Sequence, residues 1–286
     1  MADSETRAIE LPAGTVEYTD TGGEGPVVVL VHGLAMDGTV WRYVVDELSG
    51  GHRVVVPTLP FGSHLAPIRP GADLSPDGMA RLLGDLLDAL DLTGVTLVQN
   101  DVSTGMLLAV SDAPAADRID RLVLASIEAF DNFPPGLPGR SIWLAAKAPG
   151  GVDAAVQPLR FAALRRLPMA YGLLTKRPVP RAVTDGWVRP LIGRADSRRD
   201  LTAYLRGARP GRLEQAAERA GGFDRPVLVL WGADDRVMPL AHGRRLAALF
   251  PQGGYQEVAD SGTLIPEDQP TAFADAVRDF VAGKRA

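Results

Sequence analysis

The chain of 286 residues contains no cysteine and only four histidines. The first absence excludes disulfides, cysteine–zinc sites and a thiol nucleophile, and leaves the redox compartment open. The second leaves few imidazoles for acid–base chemistry. No run of about 18 apolar residues occurs, so no transmembrane helix is expected. Basic charge is not in excess: the formal net charge is −5, which argues against a general nucleic-acid binder. The first residues, MADSETRAIELPAG, lack the apolar stretch of a signal peptide, so a cytoplasmic location is expected. Internal repeats and long low-complexity tracts are absent. What the chain does have is a 46% hydrophobic fraction, enough for one large α/β domain carrying an inserted subdomain.

Strands and helices alternate along most of it. Short strands are expected at residues 8–11 and 15–19. A β-branched run at 26–31 and another at 52–57 read as strands buried on both faces of a parallel sheet. Ser75 caps a helix with Pro76 at its first position, and Met79, Leu82, Leu83, Leu86, Leu87 and Leu90 form its apolar face. Further strands are expected from the apolar run at 95–98 and at 121–127, 226–231 and 255–258, and helices at 40–48, 240–249 and 271–281. This order predicts a mostly parallel sheet covered by helices on both faces. The interval from 130 to 223 breaks the alternation. Its helical patterns, at 161–167 and 201–205, are separated by prolines and glycines. It reads as an inserted helical cap on a core made of residues 1–129 and 224–286.

Charge is distributed unevenly. Residues 160–212 hold 13 basic and 3 acidic side chains, leaving 17 basic and 32 acidic elsewhere. Two explanations are open: attraction between a basic cap and an acidic core, or guidance of an anionic substrate.

The stretch VTLVQNDVSTG, residues 95–105, concentrates the chemistry. A buried strand breaks sharply into a helix with Asp101 at the break. This is the pattern of a nucleophile elbow, usually written Gly-x-Ser-x-Gly. Four other places match in order: VHG at 31–33, PTLPFGS at 57–63, LWGADDRVMP at 230–239 and TLIPEDQP at 263–270. Together these resemble the α/β-hydrolase superfamily, and the Asp at the elbow is similar to its haloalkane dehalogenase and epoxide hydrolase branch. The resemblance implies the α/β-hydrolase fold, with Asp101 as nucleophile or general base and Asp235 as the triad acid. It implies an oxyanion hole at the N–H groups of Leu34 and Val102. Glu128, after the strand at 121–127, stands where some dehalogenases carry their acid. The cap tyrosines, Tyr171 and Tyr204, are candidates to touch substrate. So is His32, in the oxyanion motif, where a His commonly braces the loop.

One position departs from the pattern. The resemblance implies a catalytic His where this chain has Thr263, and a threonine cannot act as a base near neutral pH. Val102 also replaces the halide-binding Trp of the dehalogenases. Hydrolysis through an alkyl-enzyme should then be slow. Epoxide opening, or lyase and cyclase chemistry needing only a base and an acid, fits better. The expected partner is a small, largely apolar organic molecule, with no cofactor, metal, nucleic acid or membrane. Two alternatives are a catalytically silent ligand-binding homologue, and a serine esterase using Ser103 with a displaced His.

Overall fold

The structure is a computed structural model describing residues 5–209 and 211–284. Eight strands form one sheet in the order β1-β2-β4-β3-β5-β6-β7-β8. They are β1 (Arg7–Leu11), β2 (Gly14–Asp20), β3 (Val27–Val31), β4 (Arg53–Thr58), β5 (Val95–Asp101), β6 (Ile119–Ile127), β7 (Val227–Gly232) and β8 (Gly253–Val258). β1, β2 and β4 pair antiparallel. All pairings from β4 onward are parallel. The β-branched runs therefore sit as their composition requires. β5 is buried along its whole length because neighbouring strands cover its edges and helices its faces.

Eleven α-helices occur among the described residues. Before the insertion come α1 (Arg42–Leu48), α2 (Pro76–Ala89) and α3 (Thr104–Ala109). The insertion carries α4 (Gly136–Lys147), α5 (Gly151–Val156), α6 (Arg181–Gly193), α7 (Ala195–Gly207) and α8 (Arg212–Arg219). The chain closes with α9 (Leu240–Ala247), α10 (Ile265–Asp268) and α11 (Pro270–Val281). α2 starts as its sequence dictates: the Ser75 side chain accepts from the Gly78 N–H, Pro76 stands in the first turn, and Met79, Leu82, Leu83, Leu86 and Leu87 are buried. Leu90 lies just past its end and is only partly buried.

Among the described residues, no strand interrupts the segment between β6 and β7. The expected helix at 161–167 is a 3-10 turn, Ala162–Arg166, while the pattern at 201–205 lies inside the longer α7. α4 and α6 went unrecognised in the sequence. α4 contains Pro138 and Gly139, and α6 carries Pro190 in its interior. Each residue reads locally as a helix breaker. Packing between the insertion and the core overrides that preference.

The sheet order also locates a ligand crevice. From β3 the chain steps to β4 on one side and then returns to β5 on the other. The loops leaving β3 and β5 diverge there, and open α/β sheets hold ligands at such a point, beyond the carboxyl ends of the strands.

Candidate active site

Asp101 ends β5 with φ +73°. A non-glycine residue in the left-handed region is strained, and the surroundings must hold it there. They do so through several contacts. The Leu34 N–H, just past β3, donates to Asp101 Oδ2 at 2.9 Å. Gly33 makes that approach possible, since a Cβ there would lie 2.4 Å from the same oxygen. The Asp101 carbonyl accepts from the Glu128 N–H at 3.0 Å, which joins the elbow to the end of β6.

Gln99 stands where the elbow motif has a small residue, and the structure gives it a use. Its Oε1 accepts from the Gly105 N–H and, at 3.2 Å, from the Met106 N–H. The side chain thus turns away from the site and caps α3. Asn100 donates to the carbonyls of Ala125 (2.7 Å) and Thr263 (2.8 Å), tying the elbow to β6 and to the closing loop. Neither role was legible in sequence, because both partners of Asn100 are main-chain atoms on distant segments.

Above the elbow lies a cavity of about 380 Å³ between the strand ends and the insertion. Among the described residues, Asp101 and Glu128 are the only charged ones lining it; Tyr171, Tyr204 and Ser141 supply the other polar side chains. The remainder is aliphatic or aromatic, including Leu34, Val102, Phe133, Ile142 and Leu205. Among the described residues, no arginine, lysine or histidine lines it.

In this apolar setting ionisation is disfavoured. Burial, reinforced by the negative charge of Asp235, pushes the Asp101 carboxyl up to about 6, against the pull of the Leu34 N–H. Burial and the neighbouring Asp101 charge push Glu128 up to about 8. The Tyr204 hydroxyl donates to Glu128 Oε1 at 3.4 Å. Tyr171 is differently placed: its hydroxyl donates to the Ala35 carbonyl at 2.5 Å, and burial holds its own ionisation well above the usual range.

The other expected site residues fall behind the cavity wall. Asp235 Oδ1 accepts from the N–H groups of Val237 and Met238 and from the Thr263 hydroxyl, each at 2.8 Å. Its Oδ2 is shut off from solvent, and burial raises its pKa. Thr263 therefore meets Asp235 as a neutral hydroxyl donor.

His32 lies outside the cavity with both ring nitrogens engaged. Nδ1 is 2.8 Å from the Gly33 carbonyl, and Nε2 accepts from the Leu59 N–H at 3.0 Å. This fixes a neutral ring, and burial pushes its pKa down to about 4. The ring packs edge-on against Phe61, which packs edge-on against Tyr204. His32 thus reaches the site through packing, not by touching a ligand.

The two N–H groups assigned to an oxyanion hole are both occupied. That of Leu34 holds Asp101 itself, and that of Val102 folds back on the Asn100 carbonyl at 2.9 Å. Ser103 does not line the cavity; its hydroxyl donates to the Glu128 carbonyl. The remaining histidines sit elsewhere. His64 Nε2 is 3.1 Å from Asp200 Oδ2 in a buried pair between the core and α7. His242 faces Asp131 at 3.5 Å, and His52 is 3.2 Å from the Leu48 carbonyl.

The fold agrees with what comparison of the chain finds. A model of the alpha/beta hydrolase fold family matches residues 26–270. The chain belongs to that family. A 2-hydroxy-6-oxo-2,4-heptadienoate hydrolase from Pseudomonas putida is 27% identical, with 95% of each chain covered. An uncharacterized protein of Mycobacterium tuberculosis is also 27% identical over 91% of this chain and 76% of its own. Among solved structures, a haloalkane dehalogenase loop variant from Bradyrhizobium elkanii superposes with a TM-score of 0.77 at 17% identity, covering 99% of this chain and 97% of that one. A carboxylesterase from Bacillus subtilis superposes with a TM-score of 0.76 at 17% identity, covering 98% and 92%. At that identity the superpositions establish the shared fold and leave the chemistry to the side chains.

A first expected result concerns Thr263. In Thr263→Ala, Asp235 keeps both main-chain donors and loses one neutral hydrogen bond, which contributes about 1 kcal/mol. Turnover should stay within about tenfold of the parent. A loss beyond about a thousandfold, measured as kcat/KM, would mean that Thr263 positions a reacting group.

Proposed function

We propose that this α/β hydrolase is an acid–base enzyme acting on a small, largely apolar molecule, with Asp101 as the base and Glu128 as the acid. One observation carries the reading. Two carboxyl groups face the same apolar cavity with pKa values driven apart, about 6 and about 8. Near neutral pH one is ionised and the other keeps its proton, the arrangement a concerted proton exchange needs.

Epoxide opening illustrates the balance of the step. Asp101 takes the proton of the attacking oxygen, which belongs to water in hydrolysis or to a hydroxyl of the substrate in cyclisation. The new C–O bond forms as the epoxide C–O bond breaks, and Glu128 delivers its proton to the departing oxygen. Tyr204 steadies Glu128 as charge develops on it. Exchange with solvent then restores both groups. The apolar wall strengthens these interactions by excluding water.

A second reading, attack by Asp101 on carbon, draws on the Leu34 N–H that holds Oδ2 and leaves Oδ1 without a hydrogen-bond donor. It would form an ester on Asp101. No imidazole lines the cavity to activate water against that ester, so the ester should accumulate.

Intact-protein mass spectrometry separates the two. After incubation with a panel of alkyl and aryl epoxides, turnover without any adduct is the expected outcome. A stoichiometric adduct mapping to Asp101 would overturn the base assignment and favour the ester route.

A further inference from the structure

Seven large hydrophobic side chains are exposed among the described residues, and five of them, Leu137, Leu144, Phe161, Leu167 and Met169, fall within residues 137–169. Four of these five, all but Leu144, lie on or beside the cavity wall. Leu167 and Met169 line it. Leu137 precedes Pro138, which also lines it, and the Ser141 hydroxyl reaches the Met169 carbonyl at 3.5 Å. Phe161 hydrogen-bonds through its main chain to Pro158 and Leu164, both on the cavity wall. On α4, Leu137, Arg140, Leu144 and Lys147 recur at i, i+3, i+7 and i+10, a single stripe of the helix, and all four are exposed. Ala146, on another face, is the buried residue of that helix.

Charge on the same surface has one sign. Between residues 136 and 170 the only carboxylate is Asp153, and Arg198 neutralises it. Arg140, Lys147, Arg160 and Arg166 are exposed. None of the four pairs with a carboxylate among the described residues: Lys147 lies over the Trp143 ring, and Arg160 bonds to Gln157. Three other cations of the insertion reach across to the core. Lys176 and Arg177 bind core carboxylates Asp234 and Asp260, and Arg212 binds Asp77. Arg166 also opens onto a cleft of about 480 Å³ beside the cavity, lined by Arg165, Lys176, Arg177 and Arg181 as well.

We propose that this face of the insertion docks on an anionic lipid bilayer surface, with the cavity mouth against the lipid. Exposed apolar residues flanked by unpaired cations are what an interfacial protein surface requires: the apolar groups enter the acyl boundary and the cations meet lipid phosphates. A second copy of the chain fits less well, because symmetric pairing would bring two like-charged stripes together. No helix of the described residues is long and apolar enough to cross a membrane, so the contact is with the surface only. Docking would place the mouth where apolar molecules concentrate, and it holds whatever chemistry Asp101 performs.

The test is flotation of the full chain with vesicles of phosphatidylcholine alone or mixed with phosphatidylglycerol. Binding is expected to the mixed vesicles and to weaken with added salt. Leu144→Glu with Phe161→Glu should lower partitioning by at least about tenfold, and Arg140→Glu with Arg166→Glu should remove the preference for phosphatidylglycerol. All four positions are exposed, and circular dichroism confirms that each variant is folded. Failure of the parent chain to float at low salt would overturn the proposal, as would flotation that these variants leave unchanged. Self-association abolished by Leu144→Glu, without lipid binding, would assign the surface to a second copy instead.

Discussion

Asp101→Asn should lower kcat/KM for any epoxide the enzyme turns over by at least about a hundredfold. The amide keeps the shape and removes the base, and a positioned proton-transfer group contributes roughly 10² to 10⁴. The parent enzyme should show a bell-shaped dependence of kcat/KM on pH. Asp101 must be ionised, so activity rises as pH passes about 6. Glu128 must be protonated, so activity falls as pH passes about 8. Each charge affects the other, so the two limbs report the pair and not either residue alone. Glu128→Gln should lose the alkaline limb while keeping the acid one. Full activity in Asp101→Asn, with no adduct on the parent, would move the chemistry away from the elbow.

The second large effect is on stability, and it opposes the first. Glu128 has a pKa of 4.5 in an unstructured chain and about 8 when folded. Below pH 4.5 both states hold the proton, and the group is neutral toward stability. As pH rises from there to about 8, the unfolded chain releases its proton and the folded chain does not. The unfolded state therefore gains, and the wild type loses stability across this window. Above about 8 the loss is complete, on the order of 5 kcal/mol for a shift of this size. Glu128→Gln does not titrate. It should match the wild type near pH 4 and exceed it by several kcal/mol at pH 9 in urea unfolding. An unchanged difference between the two pH values would mean that Glu128 is not held in the protonated form. The expected variant is thus more stable and less active, as befits an acid buried in an apolar pocket.

These two carboxyl groups mark the division between sequence and fold. The sequence by itself determined the alternation of strands and helices, because period-two and β-branched runs, a Ser–Pro helix start and apolar faces are local signals. It also put Asp101 where a buried strand breaks toward a helix, which the structure shows at the end of β5. The electrostatic asymmetry of the insertion was countable too, but its purpose was not. Only the folded chain places Lys176, Arg177 and Arg212 on core carboxylates and leaves the cavity without cations, so guidance of an anionic substrate into that cavity gains no support. Tertiary structure likewise decided the helices α4 and α6, whose prolines and glycines argue locally against them. It decided that Gln99 caps a helix, that His32 acts through Phe61, and that Asp235 sits behind the wall while Glu128 lines it. The physical reason is common to all of these. Burial, hydrogen-bond partners and pKa depend on groups brought together from distant parts of the chain, such as Leu34, Asp101 and Glu128. Their distances in space are set by the sheet order and have no counterpart in linear spacing.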